Sequence, residues 1–494
     1  MGFAQLVKKF PEEGNLSFSR PYFNHSVEFK KIFTPEERAE MLERVGLNVF
    51  FFPSEMITGC DLLSDSGTTT MTNEQWAYLH MGDEAYGSNR GYFLLMDQIR
   101  EVFGEEFFND PESNRPNAFI FHQGRPCEDA LFTLMGKLGS GMIIPNNGHF
   151  DTTRANIEAN GIRALNLFSS ELKDPDSVSH FKGNMDLMKF KELLEKSRGK
   201  IPLAYLTITN NTGGGQPVSM ENIREVSELA HKNGVPLFLD GCRFAENAWL
   251  IKKYEKGYAN RKIKDIVKEM FSHADGFTIS FKKDGLVNMG GDLFLKDNGL
   301  FVKKYPQMPD ALTDYQIIKE GNPTYGGLSG RDIMTISVGL GTTIREEYLT
   351  HRINQVRDFG ESMHRKGLPV MTPIGGHAVY LDVDRFFEGT KIRKEDFGGI
   401  SLTAILLAAY GHRACELGCF AFGSYDRENG KETFPEINFV RFAVPRLRYE
   451  KQDLDSVIEA MKVLYENREQ IPPVRVTYGK DLALRHFKAR FEFK

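Results

Sequence analysis

Several absences narrow the reading of this 494-residue chain before any motif is considered. No uninterrupted apolar run approaches the ~20 residues a membrane-spanning helix needs. Met1 to Leu16 carries lysines without the apolar stretch of a signal peptide. Cysteine is scarce and odd in number (Cys60, Cys127, Cys242, Cys415, Cys419), which fits free thiols in a reducing compartment better than a disulfide framework. A cytoplasmic protein is therefore expected. The spacing of Cys415 and Cys419 would place both on one face of a helix. With no matching Cys or His pair nearby, they read as small core residues rather than a metal site. An excess of positive charge is also missing. Lys and Arg number 62 against 67 Asp and Glu, a net charge of −5 that argues against nucleic acid.

What is present is ordinary globular composition, 41% hydrophobic and 26% charged, which excludes collagen-like and mainly disordered chains. At ~150 residues per domain the length suits about three units, or a large body with a smaller partner. From about residue 60 to 340, short apolar runs alternate with amphipathic ones. Strands are expected at Asn117–His122, Gly141–Pro145, Leu203–Thr209, Val235–Asp240 and Gly276–Ser280. Helices are expected over Glu128–Leu138, Met220–Asn233 with Ser219 as N-cap, and near Ile263–Met270. This rhythm predicts an α/β body with a largely parallel sheet and helices on both faces. Beyond Gly341 a long helix (Thr342–Lys366) leads into hairpin-like pieces at Pro369–Met371 and His377–Leu381. A helix (Leu402–Tyr410), a strand (Asn438–Ala443) and a helix (Leu454–Asn467) complete a smaller α+β domain. The expected division is thus 1–60 as an arm and part of the small domain, 61–341 as the large domain and 342–494 as the small one.

In an open parallel sheet, ligands gather at the carboxyl ends of the strands. Asp240 ends one expected strand and is followed by Arg243. Ser280 ends another and is followed by Lys282 and Lys283. Gln123-Gly124-Arg125 ends a third, where a helix N-terminus offers free N–H groups to an anion. Singly these are turn formers and surface charges. Together they suit one cofactor: an acid to hold a pyridine nitrogen protonated, a lysine to form a Schiff base and a helix N-terminus for a phosphate, the protein's share of pyridoxal phosphate (PLP) chemistry.

A family resemblance then becomes specific. Thr209-Asn-Asn-Thr-Gly-Gly-Gly-Gln-Pro-Val-Ser219, Asp240-Gly-Cys-Arg-Phe-Ala-Glu-Asn247, Ser280-Phe-Lys-Lys-Asp284 and Tyr325-Gly-Gly-Leu328 resemble segments of the aromatic amino-acid β-eliminating lyases, tryptophanase and tyrosine phenol-lyase. Further matches are Asp65-Ser-Gly-Thr68, Met81-Gly-Asp-Glu-Ala-Tyr86, His122-Gln-Gly-Arg125, Gly375-Gly-His-Ala378 and Leu484-Arg-His-Phe487, in the family's order from about residue 60 onward. The resemblance implies PLP fold type I, a homotetramer, and PLP carried on Lys283 with Asp240 at the pyridine nitrogen. Arg243 would face the phenolic oxygen, and Phe150 would stack on the ring. Gln123, Gly124, Arg125, Ser280 and Lys282 would surround the phosphate. Ser66, Asn211 and Arg441 would hold the substrate carboxylate. Tyr86, from a neighbouring subunit, would serve as acid. Gly67, Glu84 and Asn288 would form a potassium site.

The implied reaction is β-elimination of an aromatic L-amino acid, with tryptophan giving indole, pyruvate and ammonia. Tryptophan is favoured because Leu417 stands where tyrosine phenol-lyases have arginine. Asp151 and His486 also match tryptophanase positions, where phenol-lyases carry threonine and phenylalanine. Tyrosine, or another amino acid, is the alternative. Three departures, Phe281, Asp292 and Asn322, replace a very small, an apolar and a large apolar residue of the family. A non-catalytic subunit on the same fold is the competing class, and joint retention of Lys283, Asp240, Arg243 and Arg441 argues against it.

Overall fold

A computed structural model describes residues 20–23, 26–109, 116–174 and 176–494; the first part of the expected arm, residues 1–19, lies outside them. Seven strands belong to the first half: β1 (Ala118–Phe121), β2 (Ile143–Asn146), β3 (Arg163–Asn166), β4 (Ala204–Thr207), β5 (Leu237–Asp240), β6 (Gly276–Ser280) and β7 (Gly291–Leu295). Five of them form one sheet in the order β1-β7-β6-β5-β4. β4, β5 and β6 run parallel, and β7 is antiparallel to both β6 and β1. β1, β4, β5 and β6 therefore all point the same way.

Within the five-stranded sheet, β7 is the strand that sequence periodicity does not announce, and the short 281–290 connection dictates its direction; β3, outside that sheet, is likewise unannounced. A parallel return needs a crossover of a dozen or more residues, so the chain can only turn back. β1, β4, β5 and β6 are buried at every position, because both faces of the sheet are covered. On one face Ile120, Leu206, Leu239 and Ile279 meet Phe103 and Phe271. On the other, Phe119, Tyr205 and Phe238 meet Leu131 and Phe132 of the helix Gly124–Gly136. β2 and β3 form a separate parallel pair. Asn147, just after β2, ties this pair to β4 by exchanging hydrogen bonds of 3.0 and 2.8 Å with the backbone of Thr207.

In the second half lie β8 (Ala378–Asp382), β9 (Cys415–Leu417), β10 (Ser424–Asp426), β11 (Lys431–Thr433), β12 (Phe439–Ala443), β13 (Val474–Tyr478) and β14 (Arg490–Phe493). The antiparallel sheet β8-β12-β9 packs against the helices Glu346–Arg365, Gly398–Tyr410 and Lys451–Glu466 through Val379, Val440, Phe359, Leu406 and Val457. Residues between 42 and 57 pack on Phe397, Leu407, Phe420 and Phe491, so this early segment shares a core with the C-terminal half.

Three local expectations are corrected. The long helix expected over Thr342–Lys366 is present but starts late: Thr342 and Thr343 end the preceding helix Gly330–Thr343, Arg345 is extended (φ −71°, ψ 127°), and the long helix runs over Glu346–Arg365 with Glu346 and Glu347 in its first turn. Two acids at that point favour a fresh N-terminus over a helix interior. The helix expected from Glu128 begins at Gly124, since Pro126 needs no N–H partner within a first turn. Cys415 lies in β9 and Cys419 in the turn after it, so the two do not share a helix face; both are buried free thiols in different clusters. Ser219 caps its helix as expected, accepting from the Asn222 N–H.

Asp292 is the least comfortable residue in the sheet. It sits in β7 between Ile120 and Ile279, fully buried, and neither carboxyl oxygen has a well-formed hydrogen bond. Burial pushes its pKa well above the usual carboxylate range, against weaker help from the backbone of Phe119 and Leu293. The folded state thus holds a proton that the unfolded chain releases near pH 4, and stability falls as pH rises through that interval. Asp292→Val is expected to raise the unfolding free energy at pH 7 by about 1–3 kcal/mol in urea titrations. The gain should shrink toward pH 4.

Candidate active site

The four co-directional strands deliver their C-terminal ends to one edge of the sheet, and a cavity of about 290 Å³ opens there. β1 supplies Gln123, Gly124 and Arg125; the turn after β4 supplies Asn211; β5 supplies Asp240 and Arg243; β6 supplies Ser280, Lys282 and Lys283. Ser66, Phe150, Asp151, Leu417, Arg441 and His486 complete walls built from other elements. Fifteen expected residues, scattered from position 66 to 486, therefore face one space.

One end of the cavity is prepared for an anion. The helix Gly124–Gly136 begins there with no side-chain cap at Gln123, so its first N–H groups face the opening. Gly124 is obligatory at this place, since a Cβ on it would lie 2.7 Å from the Ser280 Cβ. Arg125, Lys282 and Lys283 carry positive charge with no ion-pair partner among the described residues. Burial, then the Lys283 and Arg125 charges, lowers the Lys282 pKa. Lys283 Nζ lies 4.0 Å from Cys242 Sγ, and the thiol accepts the Ser280 N–H at 3.2 Å.

The opposite situation prevails behind the cavity, where every buried charge is answered. Arg243 grips Asp65 with two bonds of 2.9 and 2.7 Å. Arg446 binds Asp65 at 3.0 Å, Glu246 at 2.8 Å and Asp284 at 2.9 Å, and Arg352 reaches Glu246 at 2.9 Å. Three guanidiniums and three carboxylates thus form a network sealed from water, neutral when all three acids are ionised. Burial would raise Asp65, but the Arg243 and Arg446 charges hold it well below the usual range. Asp284 is pushed up to about 7 by burial and by Glu246, against Arg446. The expectation that Arg243 meets a ligand oxygen must accommodate this clamp, which fixes one side of its guanidinium on Asp65.

At the far wall Asp151 and His486 form a buried pair, Nε2 to Oδ2 2.8 Å, while His486 Nδ1 has no hydrogen-bond partner among the described residues. Phe50 and Phe487 stand edge-on nearby, with ring centroids 4.8 Å apart. Four expected residues, Tyr86, Gly67, Glu84 and Asn288, lie elsewhere. Tyr86 is 79% exposed, edge-on to Tyr325, and does not line the cavity. Gly67 and Asn288 are neighbours, the Asn288 amide donating to the Gly67 carbonyl at 2.9 Å, but Glu84 is engaged in an ion pair with Arg331. Of the departures, Asn322 Oδ1 accepts from the Thr324 N–H at 2.9 Å and hydroxyl at 2.7 Å, bracing the turn before Tyr325; Phe281 is fully buried in the core.

This arrangement matches a known set of proteins. The beta-eliminating lyase family profile covers residues 61–460. The chain belongs to that family. A tryptophanase of Hyphomonas neptunium is 39% identical over 96% of this chain and 98% of its own. A tyrosine phenol-lyase of Lacrimispora saccharolytica is 39% identical over 99% and 98%. The equal identities leave the substrate to the geometry. Among solved structures, a SepCysS complex with the N-terminal domain of SepCysE superposes at TM-score 0.52, with 13% identity over 86% of this chain and 99% of that one. Serine palmitoyltransferase of Sphingomonas wittichii does so at 0.52, with 10% identity over 84% and 88%. The fold is that of the type I PLP enzymes, and the chain is a PLP-dependent lyase.

The cavity of this lyase fits PLP on its own evidence: an uncapped helix N-terminus beside the unpaired cations Arg125 and Lys282 for a phosphate, Lys283 after one strand end, and the buried carboxylate of Asp240 at another. Sequence reasoning missed Glu128, Phe50 and Phe487 as lining residues and the roles of Glu246, Arg352 and Arg446. Glu246 lies inside a quoted motif, but no local pattern says that Arg446 would reach it. Glu128 sits beneath Asp240 and accepts the Thr153 hydroxyl at 2.6 Å. Burial pushes it up to about 8, Asp240 adding to the shift and Thr153 opposing it. Its folded-state pKa exceeds the unfolded one, so its stability contribution is complete below about pH 4.5 and is lost as pH rises through 8. Glu128→Gln is expected to flatten the decline in thermal stability between about pH 4.5 and pH 8, measured by calorimetry on the two proteins. An unchanged slope would show that Glu128 does not hold this proton.

Proposed function

We propose that the protein cleaves the side chain from an aromatic L-amino acid by PLP-dependent β-elimination, and that L-tryptophan, giving indole, pyruvate and ammonia, is its preferred substrate. The observation that carries the tryptophan reading is the buried Asp151–His486 pair with its unpartnered Nδ1. With Asp151 accepting the Nε2 proton, Nδ1 keeps a lone pair, which suits a ring N–H donor. Leu417, buried in the same wall, offers no donor to a phenolic oxygen. An unpaired buried hydroxyl costs roughly 1–3 kcal/mol, on the order of ten- to a hundredfold in selectivity.

In this reading Arg441, Asn211 and Ser66 bind the substrate carboxylate, and Phe150 covers the cofactor ring. Gln123, Gly124, Arg125, Ser280 and Lys282 hold its phosphate, with Arg243 at its phenolic oxygen. Bound there, PLP supplies an electron sink for the bonds broken at Cα and Cβ. Asp240 keeps the pyridine nitrogen protonated, Lys283 Nζ takes the Cα proton, and the Asp151–His486 pair orients the departing ring and accepts its N–H. The protonation of the ring carbon falls to Tyr86 of a neighbouring subunit. Its exposure beside the exposed Trp76, Met81 and Phe93 supports a subunit contact there, in a homotetramer. Gly67, Asn288 and Glu84 form the proposed potassium site, with Glu84 exchanging Arg331 for the ion. The division into residues 61–341 and 342–494 assigns Lys283 to the large domain and Arg441 to the small one. Five free cysteines support a reducing, cytoplasmic setting, and no described helix is long and apolar enough to cross a membrane.

Steady-state kcat/KM for L-tryptophan and L-tyrosine, run in potassium and in sodium buffers, tests the proposal. Tryptophan should exceed tyrosine by about tenfold or more, and potassium should support more activity than sodium. A preference for tyrosine, or turnover of neither, overturns the substrate assignment. Equal rates in the two salts remove the cation site.

A further inference from the structure

Asn211 makes an unusual set of contacts. Its Oδ1 lies 2.7 Å from the Tyr380 hydroxyl, 3.1 Å from His377 Nε2 and 3.1 Å from Arg441 Nη1. A guanidinium N–H can only donate, so the atom facing Arg441 is the amide oxygen and not the nitrogen. The Tyr380 hydroxyl is also 2.8 Å from the Asn211 carbonyl oxygen, which places its one proton between two oxygens of the same residue. His377 is fully buried with Nδ1 unpartnered, so Nε2 carries its hydrogen toward Asn211. Burial, and then the Arg243 charge, keeps this imidazole neutral. With Oδ1 saturated by three donors, Asn211 can present only Nδ2 to the cavity it lines, and Nδ2 has no hydrogen bond among the described residues.

Tyr380 itself does not line the cavity. It stands in β8, opposite Arg441 on β12, with its ring edge-on to Phe439 at 5.7 Å. One strand pair therefore supplies both the guanidinium and the hydroxyl that fixes the amide beside it. Arg441 is held in turn: Nη1 on Asn211 and Nη2 on the Leu63 carbonyl at 2.9 Å, each nitrogen keeping a second N–H. We propose that Tyr380 is a positioning residue which, with His377, locks the Asn211 amide so that its Nδ2–H and the Arg441 fork together recognise the α-carboxylate of the substrate. This rests on the reading of the cavity as an amino-acid site but not on which side chain is cleaved.

The test uses the PLP-loaded enzyme and equilibrium binding by spectral titration, with two probes: the preferred L-amino acid, and the amine that has the same side chain but no carboxylate. Tyr380→Phe removes one hydroxyl and keeps the packed ring. It should weaken amino-acid binding by roughly three- to tenfold, leave amine binding and cofactor occupancy unchanged, and raise KM more than it lowers kcat. In an Asn211→Ala background the same substitution should have no further effect, because the hydroxyl acts through that amide. Equal weakening of both probes, additive losses in the double variant, or no loss at all would overturn the proposal. If the parent enzyme binds no amino acid, the reading of the site fails instead. If Tyr380→Phe accumulates unfolded, His377→Leu replaces it in the same cycle with the same expectations.

Discussion

A guanidinium sealed from water has to find its counter-charges inside the protein, and Arg446 finds three. Asp65, Glu246 and Asp284 converge on it from the start of the large body, the helix after β5 and the loop after β6. Two further guanidiniums, Arg243 and Arg352, complete the set. Breaking one member of a buried pair strands its partner, at a cost of about 3–5 kcal/mol. The constraint reaches the chemistry because Asp284 directly follows Lys283 and Asp65 directly precedes Ser66. Chain positions bearing the proposed Schiff-base lysine and the proposed carboxylate-binding serine are anchored from behind by one charge network.

In front of that network the balance is reversed. Arg125, Lys282 and Lys283 stand at an uncapped helix N-terminus with no acid of their own among the described residues. The difference identifies the ligand's charge better than any single contact. Where charges are structural, the protein neutralises them itself; where they await a partner, it leaves them open. The Asp151–His486 pair follows the same logic, with one imidazole nitrogen satisfied and the other without a hydrogen bond among the described residues, which suits the proposed ring N–H.

Much of this was legible in the sequence because strand ends and motif residues are local properties. Asp240, Ser280 and Gln123 each close a short apolar run, and a sheet with strands in one direction gathers such ends on one edge. The limits of β6 and the Ser219 cap follow from burial and hydrogen-bonding rules that act within a few residues. What stayed hidden depends on long-range pairing. β7 is set by the length of a loop rather than by its own pattern. The break at Ile344–Arg345 lies inside a continuous amphipathic stretch. Arg446 and Tyr380 look like any arginine near a turn and any strand tyrosine until the fold brings Glu246 and Asn211 to them. Asp292 remains a local conflict, a carboxyl in an apolar strand, and nothing in the structure explains why it is there.

The end of β6 is proposed to present Lys283, and not its neighbour, to the cofactor. Lys282 lines the same cavity and its lowered pKa also makes it a competent amine, so the alternative is real. Borohydride reduction of the PLP-loaded enzyme, followed by peptide mapping, distinguishes the two directly. A single pyridoxyl group on Lys283 is expected. A pyridoxyl group on Lys282, or on any other lysine, would contradict it.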